Sequence, residues 1–370
     1  MAKRQRKGKR HERRTRLRMD AAVRNASLTS FISPDNSNFE SKNSELTSTA
    51  CVNNKEFCPT CGVTNRVIKR GYRNTKFKGK IQRYECKSCR RRFIYTPYDR
   101  MRWPDWVVEA VLDLKVSGLR DMQIAIAVSN EAKRRNENVH LSSKSIINIV
   151  RRTVLIMLEF ERYAPRKEKA STWLIDDTPQ PWSKNRTPSQ SIANSDTNIK
   201  KEYFFFWITN VLEDETRYWL SGVSSDNRCY TNSELAMKNA LLRAKYGPQL
   251  LKCDGYKGHV KGARQVFKHV EIIAKTKKED YGWINHIERL HQTIRSLAIK
   301  KRKHFRSLEN LALSVELVRI YYNFMRSHES LSGIPPAKRA GIDYPYHAGL
   351  TWTELIHFAF TCNKRRRRFL

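Results

Sequence analysis

Residues 172–178 read Thr172-Trp173-Leu174-Ile175-Asp176-Asp177-Thr178. A short apolar run that ends on adjacent carboxylates reads as a buried strand whose tip meets solvent or a cation. Two more aromatic and β-branched runs follow, YFFFWITNV at 203–211 and RYWLSGVS at 217–224. The polar segment LEDET joins them, which predicts a hairpin. Asn232–Tyr246 reads as a helix capped by Asn232. LLKCD at 250–254 and VEIIA at 270–274 are short buried strands, and the chain is mostly helical from Tyr281 onward. Three strands, a helix, a strand, a helix, a strand and then helices make a mixed α/β domain.

Upstream, PDWVVEAVLDLKVS at 104–117 places Val107, Val111 and Leu114 on one helical face, and Gly118 ends it. Further helices are expected over 119–131 and 142–158. The three suit a helix-turn-helix with the third as reader, although the last connection is long for that motif. Lys144, Arg151 and Arg152 decorate the third helix and are candidate DNA contacts.

Eight cysteines include two Cys-x-x-Cys pairs, Cys58/Cys61 and Cys86/Cys89, with 24 residues between Cys61 and Cys86. Two such knuckles present four thiolates tetrahedrally to one structural Zn²⁺ and leave no open position for catalysis. A disulfide framework is the alternative, but nothing in the sequence places it in a secretory context. Arg90, Arg91 and Arg92 follow the second knuckle directly, where they can meet phosphates.

The chain has 370 residues, and 72 Lys and Arg against 36 Asp and Glu give a formal charge of +36. That excess points to a polyanion, most simply nucleic acid. Hydrophobic residues at 39% exclude a wholly disordered chain. No apolar run reaches the ~18 residues of a membrane span, so no membrane partner is expected. The opening MAKRQRKGKRHERR lacks the apolar segment of a secretory signal. Residues 1–55 read as a basic tail and a Ser/Asn-rich linker, and 343–370 as a second basic tail ending in Lys364, Arg365, Arg366, Arg367 and Arg368.

Three acids stand in contexts that suit metal chemistry: Asp176 and Asp254 at strand ends, and Glu288 on a helix. Carboxylates gathered in this way repel one another and are stable mainly around cations. Hard oxygens suit Mg²⁺ or Mn²⁺, and two ions about 3.5–4 Å apart would bind the phosphate oxygens of both the attacking and the leaving group. Adjacent strand residues point to opposite faces, so only one of Asp176 and Asp177 can aim at the ions.

These words resemble a known group. Glu288 follows Asp254 by 34 positions, which looks like the DD(34)E pattern of insertion-sequence DDE transposases. WLIDDT resembles the W-x-x-D-E-T of the insertion-sequence-six family, and NHIERLHQTIR its N-x-x-E-R helix. YYNFMRSHESLSGIPPAKRAGI at 321–342 resembles the group's closing segment, and QRYECKSCRRRF the second knuckle of zinc ribbons that open several prokaryotic transposases. The resemblance implies an RNase H-like mixed sheet with flanking helices over 165–342, preceded by a zinc ribbon at 56–100 and a helix-turn-helix-like segment at 101–162. It selects Asp176 over Asp177 and assigns catalysis and two Mg²⁺ (or Mn²⁺) to Asp176, Asp254 and Glu288. Arg295 resembles the basic residue that follows the glutamate and contacts DNA. The implied function is binding of terminal inverted repeats, cleavage, and strand transfer into target DNA. A homodimer or larger assembly on double-stranded DNA follows, cytoplasmic and nucleoid-associated in a prokaryotic host. The alternatives are a silent DNA-binding descendant or another RNase H-like nuclease. The chain departs from the pattern at Asp177, where the group has Glu, and in a polar insertion at 179–200.

Overall fold

Trp173, Leu174 and Ile175 are all buried, so β4 (Thr172–Pro181) is covered on both faces, as a central strand of a mixed sheet must be. The structure, a computed structural model, describes residues 66–75, 79–94, 103–181, 205–275, 284–299 and 307–366, with Cys58, Val63 and Phe305. β4 pairs antiparallel with β5 (Phe205–Glu213), and β5 antiparallel with β6 (Trp219–Ser225), closing the expected hairpin. On its other side β4 runs parallel to β7 (Leu250–Cys253), which runs parallel to β8 (Glu271–Ala274). The order is β6-β5-β4-β7-β8. This five-stranded mixed sheet with helices on both faces is the RNase H-like fold.

Strand alternation divides the apolar residues into two clusters. Trp173, Ile175, Val211, Leu251 and Cys253 belong to one, with α4 (Tyr230–Ala244) and α5 (Lys257–Val266). Leu174, Phe206, Ile208, Leu212 and Trp219 belong to the other, against α6 (Asn285–Ile294). A π-helical turn, Arg295–Ile299, extends α6. α7 (Leu308–Phe324) joins the two clusters: Leu311, Val315 and Val318 serve the second, and Leu317, Ile320 and Phe324 the first. The short α8 (Pro336–Arg339) follows.

The upstream helices are α1 (Asp105–Val116), α2 (Asp121–Arg134) and α3 (Ser143–Tyr163). The Ser142 hydroxyl accepts from Ser145 N and caps α3. Val107, Val111, Ile124, Ile146, Ile149 and Phe160 lie in the same cluster as Trp173 and Phe324. Segment 101–162, expected as a module of its own, therefore shares its core with the α/β layers.

The stretch 343–370, expected as a tail, contains α9 (Trp352–Arg366). Trp352, Leu355, Ile356 and Ala359 are buried in that same cluster, since they recur at the 3.6-residue period. Glu109 of α1 accepts from Trp352 N and Thr353 N, so a carboxylate caps the N-terminus of α9. α4 starts at Tyr230 with Cys229 as its cap residue; Asn232 instead reaches back to the Asn227 carbonyl. The N-terminal sheet β1 (Val67–Thr75), β2 (Gly79–Cys86), β3 (Arg92–Phe93) is antiparallel throughout. Residues 1–55 and most of the polar insertion lie outside the described residues. No helix among the described residues is long and apolar enough to cross a membrane.

Candidate active site

β4 and β7 are parallel neighbours with Ile175 opposite Cys253, so the next residues, Asp176 and Asp254, emerge side by side. One oxygen of each lies within 4.8 Å of the other and of a ring nitrogen of His259 on α5. Burial, and then repulsion from Asp254, push Asp176 up to about 7, while the Asp177 N–H donating to its Oδ1 at 2.8 Å pulls it down. A carboxyl raised in this way is one that a cation would stabilise in its charged form.

Asp176 and Asp177 part company as alternation requires. Asp176 shares Leu174's face and lies on the α6 side, its Oδ2 3.7 Å from His291 Nδ1. Asp177 shares Ile175's face, accepts from Thr209 Oγ1 at 2.6 Å and takes Arg228 Nε at 2.6 Å. Arg228 also donates to Asp254 at 3.0 Å and lies over the Tyr256 ring at 3.9 Å.

His259 is fully buried. Its Nδ1 meets the Ser233 hydroxyl at 2.9 Å, whereas its Nε2 has no hydrogen-bond partner. Nε2 stands 3.5 Å from Asp177 Oδ2 and 3.5 Å from Asp254 Oδ1. Burial holds the imidazole below its ordinary value against the pull of both acids. Glycine makes this approach feasible: a Cβ on Gly262 would stand 2.8 Å from Glu234 N and 2.9 Å from Ser233 Cβ. α5 thus lies against α4 closely enough for His259 to reach Ser233.

Glu288 is half-buried in the first turn of α6, one turn before His291, and is not one of the three clustered ligand groups. Two carboxylates and an unpartnered buried nitrogen form a donor set that fits a divalent cation. Sequence reasoning passed over His259 and Arg228. The glycines flanking His259 at 258 and 262 were the available sign of a close-packed helix face, but a lone histidine beside them reads as core.

The second metal-compatible group is Cys58, Cys86 and Cys89, with Cys58 Sγ 3.5 Å from Cys89 Sγ. Cys61 lies outside the described residues. Cys58 N donates to the Val63 carbonyl and Cys86 N to the Arg91 carbonyl. Of the candidate DNA contacts, Arg92 pairs with Glu85 at 3.0 Å and Arg151 with Glu309 at 2.6 Å. Lys144, Arg90, Arg91 and Arg295 are exposed, and Arg152 is half-buried.

No protein-family model and no curated protein matches the chain. Among solved structures it is similar to the catalytic core domain of BIV integrase, 14% identical over 46% of this chain and 93% of that one at a TM-score of 0.31. It is also similar to a chain of a simian T-cell lymphotropic virus intasome in complex with PP2A regulatory subunit B56 gamma, 10% identical over 60% of this chain and 72% of that one at a TM-score of 0.34. The Mos1 transposase in a paired-end complex with its left transposon end gives 11% identity, 73% and 77% coverage and a TM-score of 0.25.

Proposed function

We propose that the chain is a DDE transposase, which cleaves DNA at the ends of a mobile element and joins the freed 3′-hydroxyl to target DNA. The observation that carries this reading is the juxtaposition of Asp176, midway along β4, and Asp254, just past the end of the neighbouring parallel strand β7. Asp176, Asp254 and Glu288 would hold Mg²⁺ or Mn²⁺. When bound, such ions lower the pKa of water and polarise a phosphodiester for in-line displacement.

The chain's own groups supply the rest. Arg228, tied to Asp177 and Asp254 and seated on Tyr256, offers a fixed guanidinium beside the acids for a phosphate oxygen. The excess of 36 positive charges provides affinity for the DNA backbone that falls with salt. Cys58, Cys61, Cys86 and Cys89 would hold a structural Zn²⁺, which stabilises the small β1–β3 sheet. That sheet and helices α1–α3 would grip the element ends through Arg90, Arg91, Lys144 and Arg152, and Arg295 at the end of α6 would add a further DNA contact. Two ends must be joined, so a dimer or larger assembly follows.

The test is a cleavage and strand-transfer assay in Mg²⁺ or Mn²⁺, run beside a mobility shift. Asp176→Asn, Asp254→Asn and Glu288→Gln should each lower cleavage by on the order of a thousandfold or more and leave DNA retention nearly unchanged. An Asp254→Asn variant that still cleaves would overturn the reading.

A further inference from the structure

His259 is a buried group at the acids that the DDE pattern does not predict. A buried imidazole in an ordinary core satisfies both ring nitrogens, because leaving one without a partner is costly. Here Nδ1 is engaged by Ser233 and Nε2 is bare, although two carboxylate oxygens stand 3.5 Å away. That distance is too long for a hydrogen bond between such strong partners. A ring nitrogen of His259 and one oxygen each of Asp176 and Asp254 lie within 4.8 Å of one another.

We propose that His259 Nε2 is a ligand of the divalent cation held by Asp176 and Asp254, so that this site is a mixed nitrogen and oxygen site. The inference rests on the acid-site reading above and adds a residue to it. Ser233 is then the positioning partner: with its hydroxyl accepting from Nδ1–H, the lone pair falls on Nε2, the tautomer a metal requires. The glycine contact between α5 and α4 holds that pair together, since a Cβ on Gly262 would meet Ser233 Cβ at 2.9 Å. A nitrogen ligand also predicts selectivity. Imidazole favours transition metals, whereas an all-oxygen site suits Mg²⁺.

Mn²⁺ is the probe, added to the full-length, zinc-loaded chain without DNA, and pulsed electron paramagnetic resonance is the readout. His291 is the second imidazole nearby, with Nδ1 3.7 Å from Asp176 Oδ2, so it is the necessary control. Wild type should bind Mn²⁺ and show ¹⁴N modulation from a coordinated imidazole. His259→Gln should remove the modulation, weaken Mn²⁺ at least about tenfold and reduce the preference for Mn²⁺ over Mg²⁺. Ser233→Ala should weaken Mn²⁺ binding by about 10–100-fold while keeping the ¹⁴N signal. His291→Gln should leave the signal in place. If the modulation survives in His259→Gln, or disappears in His291→Gln instead, the assignment of His259 falls while the acid site stands. If wild type binds no Mn²⁺, or Asp254→Asn binds it undiminished, the acid-site reading itself fails and His259 fails with it.

Discussion

Asp177 differs from Asp176 by one position in the chain and by a whole face of the sheet. Its side chain is 2% exposed and joins Thr209 to Arg228. Asp177→Ala is expected to lower stability by about 1–3 kcal/mol, since it strips a buried partner from Arg228 and Thr209. It should lower cleavage far less than Asp254→Asn does, and a urea denaturation series beside the cleavage assay separates the two effects. Gly262→Ala is a second test at this scale. The added methyl meets backbone, Glu234 N at 2.8 Å, which cannot turn aside as a long side chain would. A loss of about 1–3 kcal/mol is expected from overpacking, and an unchanged denaturation midpoint would show that α5 can slide. Asp176 and Asp254 were legible because apolar runs ending in Asp are conspicuous in a sequence, but only Asp254 follows a strand end; β4 runs on past Asp176 to Pro181, because the polar residues after it still pair with β5. His259 was not legible, because its meaning comes from Ser233 and Gly262, which belong to two different helices.

Between elements, one tie among the charged groups is fully buried. Glu161 near the end of α3 accepts from Arg319 of α7 through both carboxylate oxygens and from the hydroxyl of Tyr218, the residue before β6. Burial would raise the Glu161 carboxyl, but the charge and hydrogen bonds of Arg319 outweigh it and hold it below its ordinary value. A carboxylate depressed on folding stabilises fully above its unfolded value of about 4.3, and that contribution is lost as pH falls through the lower folded value. Wild type should therefore lose stability below about pH 4 more steeply than Glu161→Gln does. At neutral pH the same substitution should cost about 3–5 kcal/mol, because it leaves Arg319 buried with less compensation, and urea midpoints from pH 7 to pH 3 test both statements. Element types were legible almost throughout, since periods of 2 and 3.6 separate the strands from the helices. α9 was missed because the basic run at 364–368 drew attention away from Trp352, Leu355, Ile356 and Ala359, which carry the helical period.

At the scale of the molecule, one apolar cluster runs from Trp103 in front of α1 to Cys362 in α9. The boundary expected near residue 162 cuts through it. Residues 165–342 expressed alone should therefore expose the faces of α4 and α7 that α3 and α9 cover, bind a hydrophobic dye and unfold without a sharp transition. Full-length protein should melt its α/β and helical parts together, and a separate early transition of the helices would contradict the shared core. The sequence could not reveal this continuity, because each helix carries an ordinary amphipathic stripe and nothing local names its partner. The shared core also sets an order of events during synthesis. α1 and α3 leave the ribosome early, but α9, whose N-terminus Glu109 caps, is made about 190 residues after Tyr163. At about 5–20 residues per second the apolar flank of the first helices stays uncovered for roughly 10–40 s. In that interval the nascent chain is a natural client for chaperones, and its strongly basic surface already favours nucleic acid before the acids at the sheet have a finished scaffold to hold them.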